Sequence, residues 1–256
     1  MPSPADIILS KAILPTRLGS AEIRASIAAD IRRRAIFSAR TFEEPYLRLM
    51  RDVVAKVAGG NMDDATARMH LQKWLDDSGY QVPPDLKGSL FDRSSARRIN
   101  LILNTQRTMA ANVALIQGED DDALEEYPCW ELVSVGARRV PRADWHERWR
   151  SAGDACGWAG AIEERMVARK DSPIWQALGD GAGGFGDTLG NPYPPFAFGS
   201  SYNWMPVDSS EAEALGITGA PARPKATLDP GEDEIAEALR NFGPGFTADL
   251  LKELSA

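Results

Sequence analysis

The chain has 256 residues, 43% of them hydrophobic and 26% charged, with a net charge of -8; this length buries a core without disulfides or metals, and the balance is ordinary for a globular protein. No apolar run reaches the roughly 20 residues of a membrane span, and MPSPADIILSKAILP has no basic region ahead of its short apolar stretch, so the expectation is a chain neither secreted nor membrane-inserted. Its two cysteines, Cys129 and Cys156, exclude a disulfide framework though not a single bridge, and fit free thiols in a reducing cytosol, while the negative charge opposes a whole-surface grip on nucleic acid.

From Ile7 to Gln117 the pattern reads as a series of helices. Gly19-Ser20 predicts an N-cap, followed by one helix over 21–40 with Ile23, Ile27, Ile31 and Phe37 facing a core. Arg32, Arg33 and Arg34 lie on it and read as a solvated face with acidic neighbours, a nucleic-acid contact being the alternative. A second helix is predicted over 43–58, with Tyr46, Leu49, Met50, Val53, Val54 and Val57 as its apolar face and Gly59-Gly60 as its stop. Asn61 is read as the cap of a third, 62–78, in which Ala65, Met69 and Trp74 look inward. After Pro83-Pro84, a longer helix is predicted from Asp92 to about Gln117. Its stripe is Ile99, Ile102, Leu103, Met109, Val113 and Ile116, with Arg93, Arg97, Arg98 and Arg107 largely off it.

The acidic run GEDDDALEEY, 118–127, lacks the ligand spacing of a calcium loop and reads as a solvated turn with N-cap character. CWELVSV, 129–135, suits a strand, and 158–169 reads as helical. From Asp171 to Val207 the glycines and prolines of GDGAGGFGDTLGNPYPP predict irregular structure. Ser209-Ser210 should cap a short helix over 211–215; 220–230 reads as a linker, and 232–242 and 246–254 as small terminal helices. Residues 128–204 hold six of the seven tryptophans, which predicts a loop-heavy unit held by aromatic packing.

No catalytic constellation emerges from residue type and spacing. GDGAGGFGD carries no GK[ST] and leads into prolines rather than a helix, so it reads as a surface loop rather than a phosphate cradle. His70 falls on a helix face. His146, with Cys129 and Cys156, could be imagined as a Cys/His nucleophile or a sparse zinc site, but no CxxC pair accompanies it. Neither a cofactor nor a metal is expected.

RRINLILNTQRTMAANVALIQ resembles a helix of the head morphogenesis proteins of tailed phages related to the F protein of phage Mu, an arginine-led run with an asparagine-threonine pair and small residues, here Arg98, Asn104, Thr105, Ala110 and Ala111. The family continues with a short strand, an arginine-proline-histidine region, a proline-aromatic-tryptophan step and a double-proline segment. The similar pieces here are CWELVSV, then Arg139 to Arg142 with Trp145-His146, then Ser172-Pro173-Ile174-Trp175, then Tyr193-Pro194-Pro195 leading to Phe198. Ser200 and Ser201 stand where many relatives carry cysteines, so no metal or disulfide role transfers to them. Order and approximate spacing match over about 97–217.

The resemblance implies a non-enzymatic minor capsid protein that binds portal and major capsid protein during head assembly, multi-copy in the virion, inside the head near the portal, and in the host cytoplasm during assembly. Contact with packaged DNA and ejection with the genome go with that role; no membrane does. The fold expected is mainly α with a small α+β part: a helical domain over 1–117, an aromatic and proline-rich unit over 118–219, then a linker and C-terminal helices over 220–256. Structural or interaction roles are expected of Arg98, Asn104, Thr105, Trp130, Arg142, Trp145, His146, Trp149, Trp175, Tyr193, Pro194, Pro195, Phe196 and Trp204. The alternatives are an enzyme, nuclease or toxin-like transferase, with activity in the aromatic unit at His146 and Glu147, and a nucleic-acid-binding accessory using the arginine runs.

Overall fold

A computed structural model describes residues 2–136, 144–157 and 165–224, which divide into two compact units, Pro2–Ala111 and one that begins at Asn112. Ten α-helices and five short strands among the described residues make the chain mainly α with a small β part, as the helical periodicities predicted. No helix among them is long and apolar enough to cross a membrane. Arg142, the predicted linker beyond 224 and both predicted terminal helices lie outside the described residues.

In the first unit α1 (Pro4–Leu9) and α5 (Asp64–Asp77) pack against α4 (Glu44–Ala58). The helix α4 buries Tyr46, Leu47, Met50, Val53, Val54 and Val57 and stops at Gly59, close to the expectation. The single helix predicted over 21–40 is instead α2 (Ser20–Ser26), α3 (Ala29–Arg33) and a strand β2 (Ala35–Ile36), which runs parallel to β1 (Ala12–Ile13). Ile27 takes an extended backbone, φ -109 and ψ 122, and ends α2. The same three isoleucines still reach one core, with Leu14 and Ala35, so their spacing was compatible with two short helices as well as one long one.

In α5 the buried stripe is Ala67, Leu71 and Leu75, not Ala65 and Met69, and Met69 is 59% exposed. Trp74 is half-buried with its ring 5.1 Å from that of Tyr46. Asp63 rather than Asn61 caps this helix, its carboxylate accepting from the N–H groups of Ala65 and Thr66. The long helix α6 (Ala96–Gly118) starts later than predicted, because Asp92 instead closes a turn by accepting from Gly88 N–H and from the Ser94 N–H and hydroxyl. Its stripe buries Ile99, Leu103, Met109, Val113 and Ile116, and α6 straddles the division between the units.

In the second unit β4 (Val167–Arg169), β3 (Cys129–Ser134) and β5 (Tyr202–Val207) form an antiparallel sheet in that order. The sheet corrects two expectations: 167–169 is strand rather than helix, and 171–207 contains both β5 and the helix α9 (Ile174–Asp180). Proline and glycine frame these elements without preventing them, since Pro173 sits at the N-cap of α9. Alternation gives the sheet two buried faces. Cys129, Val167 and Val207 pack against Ala212 of α10 (Ser209–Ala214), whereas Trp130, Leu132 and Trp204 point to the opposite face. Leu132 N–H bonds Met166, so Leu132 and Trp130 turn their backbone toward β4; Pro206, paired with Trp130, therefore sits where an amide would face away from the sheet. That is the position an edge strand tolerates for proline. Two further helices, α7 (Asp121–Glu126) and α8 (Trp145–Cys156), complete the unit.

Candidate functional site

The tryptophan face of the sheet is where most of the residues singled out from the sequence meet. Trp130 and Trp204, diagonal across the β3–β5 pair, stack with ring centres 3.6 Å apart. Trp175 of α9 lies edge-on to both, at 6.1 and 5.3 Å, and also meets Trp149 of α8 at 5.4 Å and Phe196 at 6.2 Å. Its indole N–H donates to the Arg169 carbonyl at 2.8 Å, so this central ring is satisfied at its polar edge as well as packed. Trp145 stacks on Tyr202 at 4.9 Å. Trp130, Trp145, Trp149, Trp175, Tyr193 and Phe196 are all at most 3% exposed, and Trp204 is 7% exposed.

The double proline has a polar framework the sequence did not reveal. Pro194 and Pro195 have no N–H, so their carbonyls are the backbone groups that burial obliges to find partners. Asn112 donates its side-chain amide to the Pro194 carbonyl and to Asn203 Oδ1, both at 3.0 Å, and Asn191 donates to the Pro195 carbonyl at 3.0 Å. Both asparagines are buried. The backbone of 190–191 in turn lies directly on α9: Gly190 N–H donates to the Gly179 carbonyl at 2.7 Å, and a Cβ on Gly179 would fall 1.6 Å from the Asn191 oxygen.

Charge enters this unit as pairs. Lys170 is buried against Glu119, its ammonium 5.4 Å from the centre of the Trp130 ring. Burial raises the Glu119 carboxyl above its ordinary value even though the Lys170 ammonium pulls it down. Glu119 is thus not part of a solvated turn, which corrects the reading of the acidic run at its first acidic residue; Asp120 does cap α7, as the run's N-cap character suggested. Arg148 is held between the rings of Phe185 and Trp145, at 4.3 and 5.4 Å, and pairs with Asp187 at 2.7 Å and Asp144 at 2.8 Å. Arg165 bridges Glu131 and Glu211 beneath the other face. Apart from the i,i+4 pair of Arg148 with Asp144, these pairs join residues far apart in the chain, and no local pattern announces them.

The remaining predicted residues do not join the cluster. Arg98 belongs to the first unit, where it is buried rather than off the stripe of α6, and its guanidinium ties Ser38 Oγ and the Ala39 carbonyl to the carbonyls of Leu90 and Phe91. Asn104 is exposed and accepts from Arg107, and Thr105 is half-buried. His146 is exposed on the first turn of α8. Cys129 is fully buried, and burial pushes its thiol up to about 11, the reverse of what a nucleophile needs. Cys156 is half-buried and donates to the Gly153 carbonyl. No group of three His, Cys, Asp or Glu side chains able to hold a metal occurs among the described residues. The arrangement is a densely packed aromatic core with neutralised charges. No family model matches the chain, and no match was found among curated proteins or solved structures.

Proposed function

We propose that the chain is a structural minor capsid protein of a tailed phage or prophage, acting in head morphogenesis through contacts with the portal and the major capsid protein. One observation supports this above the others. The pieces that carry the resemblance, CWELVSV, the Ser-Pro-Ile-Trp step and the Tyr-Pro-Pro-Phe segment, are far apart in sequence yet bring Trp130, Trp175 and Phe196 into one contact network around Trp175. Their chemistry is packing, which suits a protein that works through surfaces and several copies, inside the head and near the portal. Co-sedimentation with proheads assembled with and without portal protein tests the reading. The expected result is retention in the portal-containing fraction through a salt titration; a chain that stays free of both particles overturns it.

A further inference from the structure

Two loops of the first unit meet at one buried cation. Arg98 donates to Ser38 Oγ and the Ala39 carbonyl on one side and to the Leu90 and Phe91 carbonyls on the other, which holds 38–42 and 89–93 together. A second tie runs beside it, since Glu43 Oε2 accepts from the Phe42 N–H at 3.1 Å and from Arg93 Nη1 at 2.7 Å. The backbone of this corner is fixed from within, yet its large side chains are in solvent: Phe42 is 53% and Phe91 63% exposed, and Leu90 is exposed next to Phe91. A rigid display of two phenylalanines and a leucine marks a surface that something covers.

The charge at the corner narrows what that is. Arg17 is exposed, lies 4.7 Å from the centre of the Phe42 ring and has no carboxylate partner among the described residues. Arg93 is already stacked on Tyr80 at 4.5 Å and paired with Glu43. Apolar rings thus stand next to one unspent cation, in a stretch, 2–111, where 17 Lys and Arg outnumber 12 Asp and Glu. Residues 232–242, EDEIAEALRNF, carry the complementary chemistry. Ile235, Leu239 and Phe242 recur at i, i+4 and i+7, so the helix expected there from the sequence sets three apolar side chains in a row over about 10 Å. Glu232 precedes Ile235 by one turn on that stripe, and with Asp233, Glu234 and Glu237 against Arg240 it gives the segment a net charge of -3.

We propose that Phe42, Leu90 and Phe91 form a docking corner for residues 232–242 of the same chain. Ile235, Leu239 and Phe242 pack on the exposed side chains, and the acidic first turn of the segment pairs with Arg17. A second copy meeting this surface corner to corner would set like charge against like, which the acidic segment does not. The inference does not rest on the head-protein reading.

The test is photo-crosslinking of the full-length chain with benzoylphenylalanine in place of Phe91, the adducts being mapped by mass spectrometry. Adducts to 232–242 are expected in the monomer band, and Leu239→Asp should abolish them. Arg17→Glu should cut their yield severalfold, and adding Glu232→Lys, Asp233→Lys and Glu234→Lys to it should restore the yield. The same probe at Met69, which is as exposed on α5, should give few adducts to this segment. The proposal fails if the Phe91 probe gives no adduct to 232–242 or if the Met69 probe gives as many. It fails also if Leu239→Asp, with a native circular dichroism spectrum, leaves the yield unchanged, or if the reversed charges do not restore it. Adducts confined to a dimer band overturn it in favour of a neighbouring copy.

Discussion

Trp175 touches four other aromatic rings and donates to the Arg169 carbonyl, so truncating it removes both contact area and a buried hydrogen bond. Trp175→Ala should lower stability by about 3–5 kcal/mol in denaturant titration, and Trp175→Phe by about 1–3 kcal/mol, for the stranded carbonyl. An unmoved melting temperature with lost partner binding would instead make Trp175 an exposed anchor. A second residue carries a pH signature. Lys11 is buried with Gln106 Oε1 as its 2.7 Å acceptor, and burial lowers its ammonium to about 7. Above that pH the unfolded chain holds a proton that the folded chain has released, until the unfolded lysine also titrates near 10.5. Stability therefore rises with pH across this interval, by about 1.4 kcal/mol per unit from this group. Thermal melts of wild type and Lys11→Met from pH 7 upward should differ in slope in that sense; equal slopes would show that Lys11 is solvated. Residue type alone marked the tryptophans as core. Asn112, Asn191 and Lys11 were illegible, because the partners that make their burial tolerable lie dozens of residues away or in a loop without periodicity.

Among the elements, α4 was readable because Tyr46, Met50, Val53, Val54 and Val57 repeat at helical spacing and Gly59 follows. The break at Ile27 was not, since α2 and α3 share one isoleucine stripe with the longer helix they replace. Strands as short as β4 are decided by pairing rather than by their own three residues. The helix α9 hides in a glycine-rich run for a steric reason, as Gly179 is there to admit the backbone of 190–191. Gly179→Ala should cost about 3 kcal/mol or more, because the new Cβ would collide with the rigid backbone carbonyl of Asn191. Gly186→Ala, whose Cβ would meet nothing within 4 Å, is the matched control and should shift the urea midpoint little. Comparable midpoints for the two would refute the close approach of 190–191 to α9.

For the chain as a whole, acid should be destabilising. Burial raises the carboxyls of Glu43, Asp92 and Asp171, but Arg93 for the first, the Gly88 and Ser94 donors for the second, and Arg169 with Ala222 N–H for the third outweigh it and hold each below its ordinary value. Groups depressed in the folded state stabilise it above their unfolded pKa, and that contribution is lost as pH falls through the folded value. Melting temperature should accordingly drop as pH is lowered past about 4, with Glu119, raised in the folded state, acting in the opposite sense. A flat profile from neutrality to pH 3 would contradict these pairings. Fold class was legible at this scale because helical periodicity dominates the chain; the proposed function rests on motif order, which periodicity does not carry. The outward-facing Pro206 has a consequence for crowding. A strand approaching β5 from outside finds no amide donor there, and three-residue β4 offers little length on the far side, so copies of this chain brought together at high concentration are discouraged from fusing edge to edge into a continuous ribbon. Association at this sheet is then left to side-chain surfaces rather than to its backbone edges.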